Sequence, residues 1–255
     1  MNKGRMIKLH ALRRELRKDA NGVLHWAPVP ESHSIPADRL ALLLCDVWNA
    51  HWSRGETERV AELAPRINRV VKAGRDAGMQ IIHAPSSCMK FYEGTPARAR
   101  IQAVPVMELP PLKDHPDPPL PFDMGKHDSD TGEPEKSRLP VEPWSRQHPA
   151  IEIDQDRDVV SDEGPAIYSL LRQRGLEEIL FMGIHTNMCV MRRSFGIKNL
   201  VRWGLKVFLV RDLTFPLSHP SIPPYVNRDE ATRLMVEFIE KFWCPTVESR
   251  DWATG

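Results

Sequence analysis

The chain has 255 residues, with 35 Lys and Arg against 34 Asp and Glu and a formal net charge of +1. That length suits one sizeable α/β domain spanning residues 1–255, and the near-zero charge removes any global electrostatic case for a nucleic-acid or anionic-membrane partner. A small molecule is the expected ligand.

The basic amino terminus, MNKGRMIKLHALRRELRKDANG, has no continuous apolar core, and no apolar run elsewhere reaches spanning length. The expectation is a soluble, cytoplasmic protein. Cys45, Cys88, Cys189 and Cys244 are widely spaced with no CxxC pair, which points to free thiols rather than a disulfide scaffold or zinc knuckle.

In chain order, Arg39 to Asp46 is a short apolar run ending in a carboxylate, as expected of a strand buried on both faces of a parallel sheet. A helix follows, with Val60, Leu63, Ile67, Val70, Val71 and Gly74 at helical spacing, Pro65 expected near its first turn and Gly78 at its close. Met79 to Ala84 predicts a second buried strand. The segment Ala166 to Arg174 predicts a helix ended by Gly175. Glu178 to Ile184 and Leu205 to Val210 predict two more strands, with one helical stretch from Asn187 to Trp203 between them. This alternation specifies right-handed βαβ units and a three-layer, Rossmann-like α/β fold with a mostly parallel sheet flanked by helices.

Residues 105–149 interrupt the rhythm with eleven of the 23 prolines and no apolar periodicity. Such a segment forms neither helix nor interior strand. It reads as a surface insertion, or as a lid or subunit-contact arm.

Ligands of open α/β sheets bind outside the carboxyl ends of the strands. The first strand delivers Asp46 there, followed by Trp48, Asn49, His51 and Trp52. The second ends near His83 and leads to Lys90, Phe91 and Tyr92; the third runs through Gly183-Ile-His-Thr-Asn-Met-Cys189. A cysteine opening a helix gains thiolate stabilisation from unpaired amides and the helix dipole, and the same amides can receive an oxyanion. Asp46 is then a base for Cys189, and attack on an acyl carbon through a thioester follows. The plainer alternative is a packed thiol beside a solvated strand-end carboxylate. Trp48, Trp52, Phe91 and Tyr92 suit either a pocket wall for a flat or apolar acyl group or ordinary core.

The pattern Gly183-x-x-Thr186-x-x-Cys189-Val190 after an apolar strand, with a preceding strand that ends in Asp46, resembles the isochorismatase-like cysteine hydrolases, which include nicotinamidases and N-carbamoyl amide hydrolases. The resemblance covers roughly Arg39 to Ala84 and Ile151 to Thr214. It implies Cys189 as nucleophile, Asp46 as its base, and an oxyanion hole from the His185 and Cys189 amides. A cis bond is implied at Ile184-His185, with the His185 side chain directed away from the substrate carbonyl. The family often forms oligomers, so a homo-oligomer is expected.

A family Lys should fall at Ser161 or Asp162, in DVVSDEGPAIY, but no Lys is present there. Replacement by Lys90, by an imidazolium of His51 or His185, or by a metal is open, as is an arrangement in which Ser161 and Asp162 orient Asp46 through water. The metal-binding Asp-x-His of nicotinamidases is missing from HAPSSCMKFYEG, and the HDSD of His127 to Asp130 is equally well a solvated acidic turn. No metal or cofactor is therefore assigned, and nicotinamidase activity is not expected. Two functions stand: a cysteine hydrolase of a small amide or related bond, including the enol ether of an isochorismate-like substrate, and a catalytically silent ligand-binding or assembly protein on the same fold.

Overall fold

The computed structural model describes residues 5–122 and 143–253. The elements are β1 (Met6–Lys18), β2 (Leu24–Pro36), β3 (Leu40–Cys45), α1 (Arg54–Ala77), β4 (Gln80–Ala84), α2 (Met89–Tyr92) and α3 (Pro96–Gln102). They continue with β5 (Val159–Val160), α4 (Gly164–Gln173), β6 (Glu178–Ile184), α5 (Cys189–Arg192), α6 (Ile197–Arg202), β7 (Lys206–Phe215), α7 (Arg228–Phe242) and β8 (Thr246–Val247).

Among the described residues, the strands form an eight-stranded sheet in the order β2-β1-β8-β7-β6-β3-β4-β5. From β8 to β5 the pairs are parallel, and β1 runs antiparallel to both β2 and β8. The four expected strands are its centre. In β3, Ala41, Leu43 and Cys45 join the core beneath α4, α6 and α7, whereas Leu40, Leu42 and Leu44 join the core beneath α1. Burial on both faces is why this strand reads as a continuous apolar run.

Three local expectations change. Pro65 lies inside α1 rather than at its start, because Ser53 caps the helix far upstream by accepting from the Glu56 amide. Pro65 is tolerated on the exposed face, where the carbonyl it leaves without a helical donor can meet water. The predicted 187–203 helix is two short helices, α5 and α6. Gly196 marks the break, where a Cβ would come within 2.9 Å of the Met191 carbonyl group and the Arg193 amide. The basic amino terminus forms the β1–β2 hairpin, with Ile7, Leu9 and Ala11 buried on alternate positions. On its free edge strand, β2, Pro28, Pro30 and Pro36 face Arg14, Leu12 and Met6 in the register. They share the alternate positions whose amides point away from β1, so they remove donors that would invite further strand pairing.

The proline-rich segment is irregular where described. Its first part crosses α4 and α6: Pro105 O accepts from Gln173, the Met107 amide donates to Ser169 Oγ, and the Lys113 amide donates to Arg202 O. Its last part returns to the carboxyl edge of the sheet, where Gln147 bridges to Trp48 and the His148 amide donates to Val47 O at 2.7 Å. The HDSD stretch lies outside the described residues. Among the described residues, no helix is long and apolar enough to cross a membrane.

Candidate active site

The carboxyl ends of β3 and β6 meet almost backbone to backbone. Gly183 has φ +116°, and a Cβ there would stand 2.0 Å from Cys45 O, so glycine is required. The next residue on β3, Asp46, is fully buried with φ +51°. The Gly183 contact therefore sets this carboxylate beside the loop that carries the cysteine.

The rest of the motif fastens that loop to the end of β7. The Thr186 amide donates to Phe215 O at 3.0 Å, and the Thr186 and Thr214 hydroxyls are 2.9 Å apart. Asn187 Nδ2 donates to Leu217 O, and the Leu217 amide returns a bond to Asn187 Oδ1. The Ile184–His185 peptide is cis. His185 O accepts from the Met188 and Val190 amides at 2.9 and 3.2 Å. Among the described residues, the His185 and Cys189 amides donate to no backbone carbonyl.

Asp46 is held from two sides. Its Oδ1 accepts from the Ser86 amide at 2.7 Å, and its Oδ2 accepts from Arg193 Nε at 2.7 Å. The Cys189 thiol lies close enough to this carboxylate for each to shift the other's acidity. Burial raises the Asp46 pKa above the usual carboxylate range, against the pull of Arg193, Ser86 and Cys189. Burial, and then the Asp46 charge, pushes the Cys189 thiol up, with Arg193 opposing. Cys189 thus rests as a thiol beside Asp46. The expectation was a thiolate favoured by the helix terminus; α5 is a single turn, so its dipole is small, and burial acts in the opposite direction.

A family model for the isochorismatase domain matches residues 40–219. The chain belongs to the isochorismatase family. A cysteine hydrolase from Pseudomonas syringae pv. phaseolicola 1448A superposes with a TM-score of 0.51 at 16% identity, over 85% of this chain and 92% of that one. A putative isochorismatase from Burkholderia xenovorans LB400 gives 0.51 at 17% identity, over 84% and 86%. An isochorismatase from Pseudomonas putida KT2440 gives 0.51 at 13%, over 84% and 89%. At such identities these structures speak for the fold. No curated protein sequence matches.

For this isochorismatase-family chain the predicted surroundings of the cysteine divide. Trp48 is buried, donates through Nε1 to Ser86 O, and stacks on Trp144 at 4.2 Å. His51 lies 5.8 Å from the Trp144 ring and 4.8 Å from the half-buried Trp52 ring, so these four rings form one wall. Of the other candidates, Tyr92 packs in the same cluster as Trp48 and Trp144. His83 is buried between Gln147 Oε1 at 2.9 Å and Asp158 Oδ2 at 3.0 Å. Tyr92 accepts the Gln147 amide through its hydroxyl, and Phe91 is 52% exposed.

The expected cation substitutes are placed elsewhere or neutral. Lys90 is exposed on α2. His51 accepts from the Ser53 amide, and burial pushes its pKa down to about 2, so it is no imidazolium near neutral pH. His185 directs Nε2 to Glu56 at 2.8 Å, towards α1. Ser161 accepts from Arg98, and Asp162 accepts from the Ser87 amide. Among the described residues, no group of three or more His, Cys, Asp and Glu side chains is arranged to hold a metal.

Two residues of the site escaped the sequence reading. Arg193 stands four positions after Cys189, a spacing that places it on the same side of a helical turn. Trp144 comes from the far end of the proline-rich segment, and nothing in its local sequence marks it.

Proposed function

We propose that this chain is a cysteine hydrolase acting on a small amide or a related bond, with Cys189 as nucleophile and Asp46 as general base. The observation that carries it is the placement of Cys189 against the buried Asp46 carboxylate at the sheet edge, beside two amides that donate to no backbone carbonyl among the described residues. As Cys189 Sγ bonds to the carbonyl carbon, its proton passes to Asp46 and the carbonyl π pair moves onto oxygen. The His185 and Cys189 amides receive that oxyanion. Collapse of the adduct breaks the C–N bond, and the proton on Asp46 leaves with the amine. Water then attacks the thioester, gives a proton back to Asp46, and the thiol is restored as the acid departs.

The ring wall of Trp48, His51, Trp52 and Trp144 favours a flat or apolar acyl group. The catalytically silent reading rested on the missing family Lys, and the ion pair between Arg193 and Asp46 supplies a cation from another position. A single domain, a cytoplasmic location and a homo-oligomer belong to the same proposal. Wild type and Cys189→Ala are to be compared on a panel of small amides, carbamoyl compounds and enol ethers. Turnover by the wild type alone is expected; equal turnover by both removes Cys189 from the mechanism.

A further inference from the structure

The site holds a cation that the sequence pattern does not announce, at a chain position other than the one where the family Lys was expected. Arg193 is the first residue beyond α5. Its amide still donates to Cys189 O at 3.0 Å, but its own backbone is extended, with φ −57° and ψ 158°. The helix therefore ends one turn after the cysteine, at the residue whose side chain reaches back to Asp46 Oδ2.

The guanidinium is gripped from a second direction, with its carbon 5.8 Å from the centre of the Trp48 ring. Trp48 is itself fixed by its bond to Ser86 O and its stack on Trp144. Since the Ser86 amide also binds Asp46 Oδ1, both carboxylate oxygens and the half-buried guanidinium belong to one connected frame. The chain position of the family Lys is taken up by other contacts: Arg98 donates to Ser161 Oγ at 3.1 Å and to Val160 O, and its charge is met by Glu163 at 2.7 Å.

We propose that Arg193 is the positioning cation of this site: fixed on Asp46 Oδ2, it orients the base and balances charge while the cysteine proton moves. The proposal rests on the Cys189–Asp46 reading above. In the resting site, ionised Asp46 and Arg193 cancel beside a neutral thiol. After attack, Asp46 is neutral and the oxyanion balances Arg193, so the site carries no net charge in either state. An arginine keeps its proton throughout, unlike a lysine, so all proton traffic runs through Asp46.

The other titratable groups around the pair are Cys45 on β3, the neutral His51, and the His185–Glu56 pair facing α1. Lys90 on α2 is exposed, and Asp162 is bonded to the Ser87 amide.

The test is the pH profile of Cys189 alkylation by iodoacetamide, read by peptide mass spectrometry, in wild type, Arg193→Met, Arg193→Gln and Arg193→Lys. Loss of the cation should move the midpoint up by about one pH unit or more, a drop of about ten-fold in rate at fixed neutral pH, in the Met and Gln variants alike. Lys should stay within about three-fold of wild type. A purely structural role predicts the reverse shift, because a loosened helix would hydrate the thiol and let its midpoint fall. An unchanged or lowered midpoint in the variants overturns the proposal, and Gln carries the test if Met does not fold. Labelling confined to Cys45, Cys88 or Cys244 at every pH overturns instead the Cys189 reading on which it rests.

Discussion

Two buried aspartates in this sheet each face an arginine, yet their acidities move in opposite directions. Asp158, beside β5, takes Arg75 Nε at 3.0 Å and Nη2 at 2.5 Å, His83 Nε2 at 3.0 Å and the Asp154 amide at 2.9 Å. Burial alone would raise its pKa, but the bonds from His83 and Arg75 bring it down to about 2. Asp46 has one guanidinium nitrogen, one backbone amide and a thiol, and there burial prevails. A carboxylate saturated with donors is a structural anion; one left short of donors is poised to accept a proton. The Arg98 side chain and other arginine-lined clefts, such as one of about 590 Å³ near Arg75, Arg100, Arg157 and Arg174, follow the structural pattern, with Arg75 and Arg157 on carboxylates and Arg100 on backbone carbonyls.

The contrast breaks most visibly at the chemistry. Cys189→Ala and Asp46→Asn should each lower hydrolysis by about 10³-fold or more, measured as initial rates on whichever amide the wild type turns over. Asp46→Asn should nevertheless keep or raise thermal stability at pH 7. A carboxyl whose folded pKa is raised costs stability once the pH exceeds its unfolded value of about 4, and the amide removes that cost.

Asp158→Asn should do the opposite: about 3–5 kcal/mol of stability lost in denaturant unfolding, because Arg75 stays buried without its anion, and little change in rate per folded molecule. Equal losses of activity in the two variants would erase the distinction.

The acid limb sharpens it further. Because the folded pKa of Asp158 is depressed, its contribution is full above the unfolded value of about 4 and is lost as the pH falls towards about 2. It amounts to roughly 2–3 kcal/mol, and urea unfolding of Asp158→Asn across that window should be correspondingly flatter than wild type.

The smallest effect is expected at His185. Its imidazole pairs with buried Glu56, which also holds Arg59 at 2.5 Å. His185→Ala should cost about 1–3 kcal/mol in thermal or denaturant unfolding while leaving turnover within a few-fold of wild type. A loss of turnover as deep as in Asp46→Asn would assign the imidazole to the chemistry.

The centre of the fold was legible because β3, β4, β6 and β7 are buried on both faces and so carry apolar runs that turn-forming residues punctuate. The hairpin was not, although Ile7, Leu9 and Ala11 alternate, since the intervening charges of β1 break any continuous apolar run in this basic amino terminus. Cys189 and Asp46 were legible through a motif whose Gly183 and Thr186 perform local backbone tasks. Arg193 had a signal in its spacing from Cys189, but a continuous helix over 187–203 hides it, because the side chain turns back only where α5 stops. Trp144 had none: it reaches the site only because its distant segment pairs with Val47, Trp48 and Asn49.

The central claim is that Cys189 rests as a thiol whose proton Asp46 takes only as the reaction proceeds. It is tested most directly by the pH dependence of Cys189 modification in wild type and Asp46→Asn, with amide hydrolysis measured alongside. Burial and the Asp46 charge hold the wild-type thiol up, so Asp46→Asn should lower the modification midpoint and speed modification at neutral pH even as hydrolysis is lost. A wild-type thiol that reacts on a low-pH plateau, with the plateau abolished in Asp46→Asn, would show a preformed thiolate and contradict the account.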